Sequence, residues 1–188
     1  MNVETIISIC LGIGLAASVG FRVFLPLFVL SLVSYLGVWD LNDSWQWLSS
    51  IPAFITLGVA MLFEVFAYYI PFVDNLLDTI AIPLAAVAGT AVVVSTASDL
   101  DPLITWSLAI IAGGGTASAI KGLSSTTRLA SSTSTAGLGN TVVATIETGG
   151  SIVMSLLSVF LPVVSFIIVL MILYFLYKIS KKFKTSKN

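Results

Sequence analysis

From residue 5 to residue 38 the chain is one apolar stretch with a single basic interruption, Arg22 in VGFRVFLP. As a straight helix, those 34 residues would be about 50 Å long. A hydrocarbon core is only about 30 Å thick. The segment must therefore break, tilt strongly or re-enter the bilayer. Gly20 and Pro26 flank Arg22 and are the expected break points.

The rest of the chain repeats the problem. Residues 51–70, 79–98 and 103–120 each read as a span, and residues 152–177 as a long final span kinked at Pro162. Only 9% of residues are charged and the mean hydropathy is +1.08, against about 25% charged in a soluble domain. The sequence predicts an all-α polytopic transmembrane helix bundle of five to six spans, the sixth arising if residues 5–38 form a hairpin. Residues 1–180 make one membrane domain. Residues 181–188 make a basic tail, cytoplasmic by the positive-inside rule, in a multi-pass protein of the cell (inner or plasma) membrane.

Between the spans, residues 39–50 (WDLNDSWQWLSS) carry three tryptophans and read as an interfacial loop. Residues 121–150 break the apolar pattern, because nine of the twelve residues from Ser124 to Thr135 are Ser or Thr. An exposed loop is the favoured reading there, a polar re-entrant path the other. The second region of broken or re-entrant chain is thus 121–150, the first being 20–26. A weak internal repeat is suggested by GLAAS (14–18) and GGTAS (114–118), each followed by a basic residue, and by YYIPFVD (68–74) against SVFLPVVS (158–165).

Chemistry is bounded by what is missing. There is no histidine and Cys10 is alone, which removes histidine acid–base catalysis, the usual zinc ligands and an intrachain disulfide. The N-terminus MNVETII lacks the basic residues of a signal peptide. No catalytic group, metal, cofactor or nucleic-acid partner is expected.

What remains are charges in apolar surroundings. Asp74 and Asp78 in IPFVDNLLDTIAIP have no basic residue within forty positions. Spaced i, i+4, they share a helix face. The favoured reading makes them the cap and first turn of a helix after Pro71, and the compatible alternative makes them carboxylates facing a polar cavity. Glu64 lies deeper, inside MLFEVFAYYI, where an unpaired acid costs several kcal/mol. The first 177 residues hold three basic residues, Arg22, Lys121 and Arg128, against the acids Glu64, Asp74, Asp78 and Glu147 in or near the spans. Pairing between the two halves is expected, with Arg22 on one side and Lys121 or Arg128 on the other countering the aspartates. Gly113, Gly114 and Gly115 offer a smooth helix face for close packing, with an unwound, substrate-binding stretch as the alternative. GGGTASAIKG is not a phosphate loop, since Ile120 precedes Lys121.

The segments GLAASVGFRVFLPL, FEVFAYYIPFVDNLLD and GGGTASAIKGLSSTTR resemble a bacterial membrane-protein family, domain of unknown function 4126. The resemblance implies a Gly-Leu-Arg-x-Phe-Leu-Pro segment, a Glu…Pro-x-Val-Asp…Asp segment and a glycine triplet followed by basic residues. Arg22, Phe24 to Pro26, Glu64, Pro71, Val73, Asp74, Asp78 and Gly113 to Gly115 match it. Phe21 stands where Leu is more usual, and the Ser/Thr stretch departs from a more basic pattern. It implies an integral membrane protein and no activity.

The leading expectation is a small transporter or channel-like protein. Arg22, Glu64, Asp74, Asp78, Lys121 and Arg128 would form a polar intramembrane site for a cation, a proton or an anionic, including lipid, group. Membrane lipids and a second copy of the chain are its expected partners. The alternative is a non-transporting scaffold or assembly protein with structural ion pairs. An intramembrane enzyme using acids or a Ser–Lys pair ranks behind both.

Overall fold

The computed structural model describes residues 2–185. Among them the secondary structure is helical throughout. The helices are α1 (Val3–Phe21), α2 (Phe24–Tyr35), α3 (Ile51–Ala67), α4 (Pro71–Thr96), α5 (Pro102–Leu108), α6 (Gly115–Thr135), α7 (Asn140–Phe160) and α8 (Pro162–Thr185). A short 3₁₀ helix, Asp43–Ser49, precedes α3, and a π-helical turn, Ala109–Gly114, joins α5 to α6. Four helical stretches are long and apolar enough to cross a membrane, or five when the 3₁₀ helix and α3 are taken as one bent span. The chain is a multi-pass membrane helix bundle. Residues 186–188 of the expected basic tail, with Lys187, lie outside the described residues.

Helix starts follow local chemistry. Ser50 accepts the Ala53 N–H at 3.3 Å and Asp101 accepts the Leu103 N–H at 2.9 Å, each just before a proline in the first helical turn. Pro71 and Pro162 likewise open α4 and α8.

α1 is the axis of the bundle. It is 72% buried, against 39% for each of the other three long spans, and α4, α6, α7 and α8 pack around it. Two ends can be distinguished. Asn42 N–H bonds Ser95 O at 2.9 Å and Ser98 Oγ bonds Ser8 Oγ at 3.3 Å, so the start of α1, the tryptophan loop and the end of α4 share one end. α1 runs away from that end and α2 returns towards it. Residues 5–38 are therefore a hairpin whose tip is Arg22–Val23.

The break falls between the two expected points rather than on either. Arg22 is extended (φ −138°, ψ 129°). Gly20 lies inside α1, where it admits α6: a Cβ there would sit 2.6 Å from Ile120 Cβ and 2.9 Å from Ala117 O. Pro26 is the third residue of α2, in a first turn whose N–H groups have no intrahelical acceptor. The expected single span 152–177 is likewise two helices, divided at Leu161.

The Ser/Thr-rich stretch is helix, not an exposed loop. Its hydroxyls fold back onto carbonyls one turn earlier, as in Thr126 to Gly122 O at 2.8 Å, Ser134 to Ala130 O at 2.7 Å and Thr135 to Ser131 O at 2.8 Å. They thereby satisfy themselves without leaving the helix. The chain breaks only after Thr135, where Ala136 (φ 51°) and Gly137 (φ 88°) enter the left-handed region.

The glycine triplet meets α4. A Cβ on Gly113 would lie 2.5 Å from Gly89 O, and one on Gly114 would lie 2.6 Å from Thr90 Oγ1. Gly115 does not join this contact; nothing lies within 4 Å of its Cβ position.

Candidate functional site

At the hairpin-tip end, five helices bring their charges to one place. Arg22 ends α1, Glu64 lies near the end of α3, Asp74 and Asp78 lie on the first turns of α4, Lys121 and Arg128 on α6, and Glu147 on α7. Burial is severe: Arg22 and Lys121 are 0% exposed and Arg128 and Asp74 1%. Charges so far from water persist only when paired or hydrogen-bonded.

Arg128 is the hub. Its guanidinium pairs with Asp74 on one side and with Glu147 on the other, the second through two nitrogens. Asp74 also accepts from Asn140 Nδ2 at 3.0 Å, and Glu147 from the Ser124 hydroxyl. Arg22 reaches Glu147 at 3.8 Å and donates to Thr148 Oγ1 at 3.0 Å and Ala144 O at 2.8 Å. Arg22 thus answers Glu147 rather than either aspartate, and Arg128 alone answers Asp74.

Among the described residues Glu64 meets no cation within 4 Å. Its two oxygens accept the N–H groups of Val23 at 2.7 Å and Phe24 at 2.8 Å. A carboxylate from α3 thereby caps the buried N-terminus of α2 and complements its dipole.

Tyr68, next to the end of α3, sits at the centre. The Arg22 guanidinium lies 4.1 Å from its ring centroid, that of Arg128 4.3 Å and Lys121 Nζ 4.9 Å. Lys121 Nζ donates to the Tyr68 hydroxyl at 3.1 Å and makes no ion pair within 4 Å among the described residues. The negative face of the ring spreads over three cations at once.

Asp78 is the exception. It makes no ion pair within 4 Å, and its buried Oδ1 has no hydrogen-bond partner among the described residues. It lines a cavity of about 320 Å³ between α4 and α6 with Thr79, Ser125, Arg128, Leu129 and Ser132. Ser125 Oγ is also buried without a partner. Two apolar cavities flank the charged centre. One, of about 310 Å³, runs between α2, α3 and α4 to Glu64 and Tyr68; the other, of about 170 Å³, runs between α6 and α7 to Ser124 and Glu147. Among the described residues no three His, Cys, Asp or Glu side chains are grouped to hold a metal.

The structure therefore gathers Arg22, Glu64, Asp74, Asp78, Lys121 and Arg128, together with Glu147. Sequence reasoning missed Tyr68, Asn140, Ser124, Ser125 and Thr148. All of these but Ser125 partner charged residues, but a tyrosine near a helix end and hydroxyls in a Ser/Thr-rich run carry no local mark of that role.

The family model described as Domain of unknown function (DUF4126) matches residues 9–182. No curated protein and no solved structure matches the chain.

Proposed function

We propose, from the premise that the chain belongs to the family Domain of unknown function (DUF4126), that it is a small transporter or channel-like membrane protein. Its intramembrane ion site is the cavity between α4 and α6. The observation that carries this reading is Asp78: the buried acids beside it each have a hydrogen-bonding partner, while the buried Asp78 Oδ1 has none among the described residues and the residue lines a polar cavity. An intramembrane acid without a structural partner is a functional residue by default. Arg22, Lys121 and Arg128 set the potential at the site, and the π-helical turn with its glycines lets α6 pack against α4. In this reading the protein works in the cell membrane as a homo-oligomer surrounded by lipid, with its basic C-terminal tail cytoplasmic and no catalytic step.

A scaffold reading has its own support. The Arg128 pairs and the Glu64 cap are complete without any ligand. The two readings separate on water access at Asp78. In a Cys10→Ala background, Asp78→Cys, Ser125→Cys and Ser132→Cys are treated with a membrane-impermeant thiol reagent in native membranes. Labelling of all three, in protein that elutes as a single species, supports the ion site. No labelling in folded protein replaces it with the scaffold.

A further inference from the structure

We infer that the Asp78 cavity binds one monovalent, alkali-type cation through Asp78 Oδ1 and Ser125 Oγ; this deepens the ion-site reading above and rests on it. Three observations converge. The first is charge. The buried charges balance, three carboxylates (Glu64, Asp74 and Glu147) against three cationic side chains (Arg22, Lys121 and Arg128), and the part-buried Asp78 beside them adds a fourth carboxylate. With Asp78 ionised the cluster is one positive charge short of neutrality, and a net charge held partly out of water is costly.

The second is where the shortfall lies. Asp74 and Glu147 are answered by Arg128 and Arg22. Glu64 is answered by the N-terminus of α2. Lys121 is the charge that could answer Asp78, yet its Nζ is tied to the Tyr68 hydroxyl and makes no ion pair within 4 Å among the described residues. The charged groups acting on Asp78 are Arg128 and Lys121 from α6, Asp74 from α4 and Glu147 from α7, with Tyr68 beside them. Arg128 lines the cavity too, but two carboxylates already divide its guanidinium.

The third is donor chemistry. Among the described residues the two buried atoms left without partners on this cavity are both oxygens, Asp78 Oδ1 and Ser125 Oγ, and Ser132 and Thr79 line the same space. Oxygen donors suit hard cations. A single carboxylate, with no group of three acidic, histidine or cysteine side chains among the described residues, matches a singly charged ion rather than a divalent one. A cavity of about 320 Å³ has room for the ion and part of its water shell.

The test is equilibrium binding of radiolabelled sodium to the purified full-length protein in detergent, with choline keeping the ionic strength constant and potassium as competitor. Saturable binding of one ion per chain is expected. Asp78→Asn should abolish it, Ser125→Ala should weaken it about tenfold, and Glu4→Gln, at an exposed residue at the other end of the bundle, should leave it unchanged. All variants are first checked by size-exclusion chromatography. Absence of saturable sodium or potassium binding overturns the inference, as does full binding in folded Asp78→Asn. Titration of Asp78 by protons alone, with no competition from sodium, overturns it in favour of a proton site. Thiol labelling of the cavity without sodium binding sinks this inference and leaves the ion-site reading standing. Absence of labelling removes both.

Discussion

The Glu64 carboxylate caps a helix that begins forty residues earlier in the chain, accepting the Phe24 N–H at 2.8 Å. With the companion bond from Val23 at 2.7 Å, this contact supplies acceptors to the backbone at the tip of the α1–α2 hairpin, where Val23 is buried and Phe24 part-buried. Glu64→Ala would leave two buried N–H groups without acceptors, at about 1–3 kcal/mol each. Glu64→Gln keeps one acceptor oxygen and should cost less. The expected order of unfolding temperature in detergent is wild type, then Glu64→Gln, then Glu64→Ala. Equal stability of the wild type and Glu64→Ala would show that the cap is not structural.

Arg128 should be intolerant in a specific way. Arg128→Ala strands Asp74 and Glu147 in a buried site, and breaking such a pair costs about 3–5 kcal/mol. Arg128→Lys retains the charge but cannot reach both carboxylates with fork geometry, so it should rescue only in part. Arg128→Gln combined with Glu147→Gln should recover more stability than either single change. A double-mutant cycle read by thermal unfolding checks this; additive effects would remove Arg128 from the hub.

Much of this site was legible in the sequence, because charge is conspicuous in an apolar chain. Glu64, Asp74, Asp78, Arg22, Lys121 and Arg128 stood out by composition alone, and their number in each half required them to meet. Which pairs with which was not legible. Asp74 and Arg128 are 54 positions apart and meet only because α4 and α6 lie side by side. The Ser/Thr-rich stretch misled for a physical reason: hydroxyls that usually compete with helical bonds here bond back to carbonyls within the same helix. The break at Arg22 was placed within a few residues but not on the right one. Gly20 and Pro26 signal backbone freedom and constraint, whereas the turn forms where Glu64 supplies the missing acceptors.

The glycines of the π-helical turn and of α6 make opposite predictions. Gly113→Ala places a methyl 2.5 Å from Gly89 O, a backbone atom with little room to yield. It should destabilise by roughly 1–3 kcal/mol. Gly115→Ala and Gly122→Ala meet nothing within 4 Å in helical positions. Each should be neutral or stabilising by roughly 0.5–1 kcal/mol, because alanine loses less backbone entropy than glycine. Thermal unfolding of the three variants side by side separates close packing from mere helix composition.

Tyr68 offers the sharpest separation of ring from hydroxyl. Its ring faces Arg22, Arg128 and Lys121, and among the described residues its hydroxyl accepts from Lys121 alone. Tyr68→Phe removes one acceptor and leaves the ring, so Lys121 loses its hydrogen-bonding partner and is freed to turn towards Asp78. Tyr68→Leu removes the ring as well, and a desolvated cation–π contact is worth about 2 kcal/mol. Tyr68→Leu should therefore unfold well below Tyr68→Phe. In the phenylalanine variant, stability should stay close to wild type while sodium competes less well for Asp78, because a freed ammonium is the nearest rival charge. Unfolding temperature and sodium affinity measured on both variants should move independently. If they fall in parallel, Tyr68 serves only to hold the bundle together and Lys121 has no bearing on the cavity.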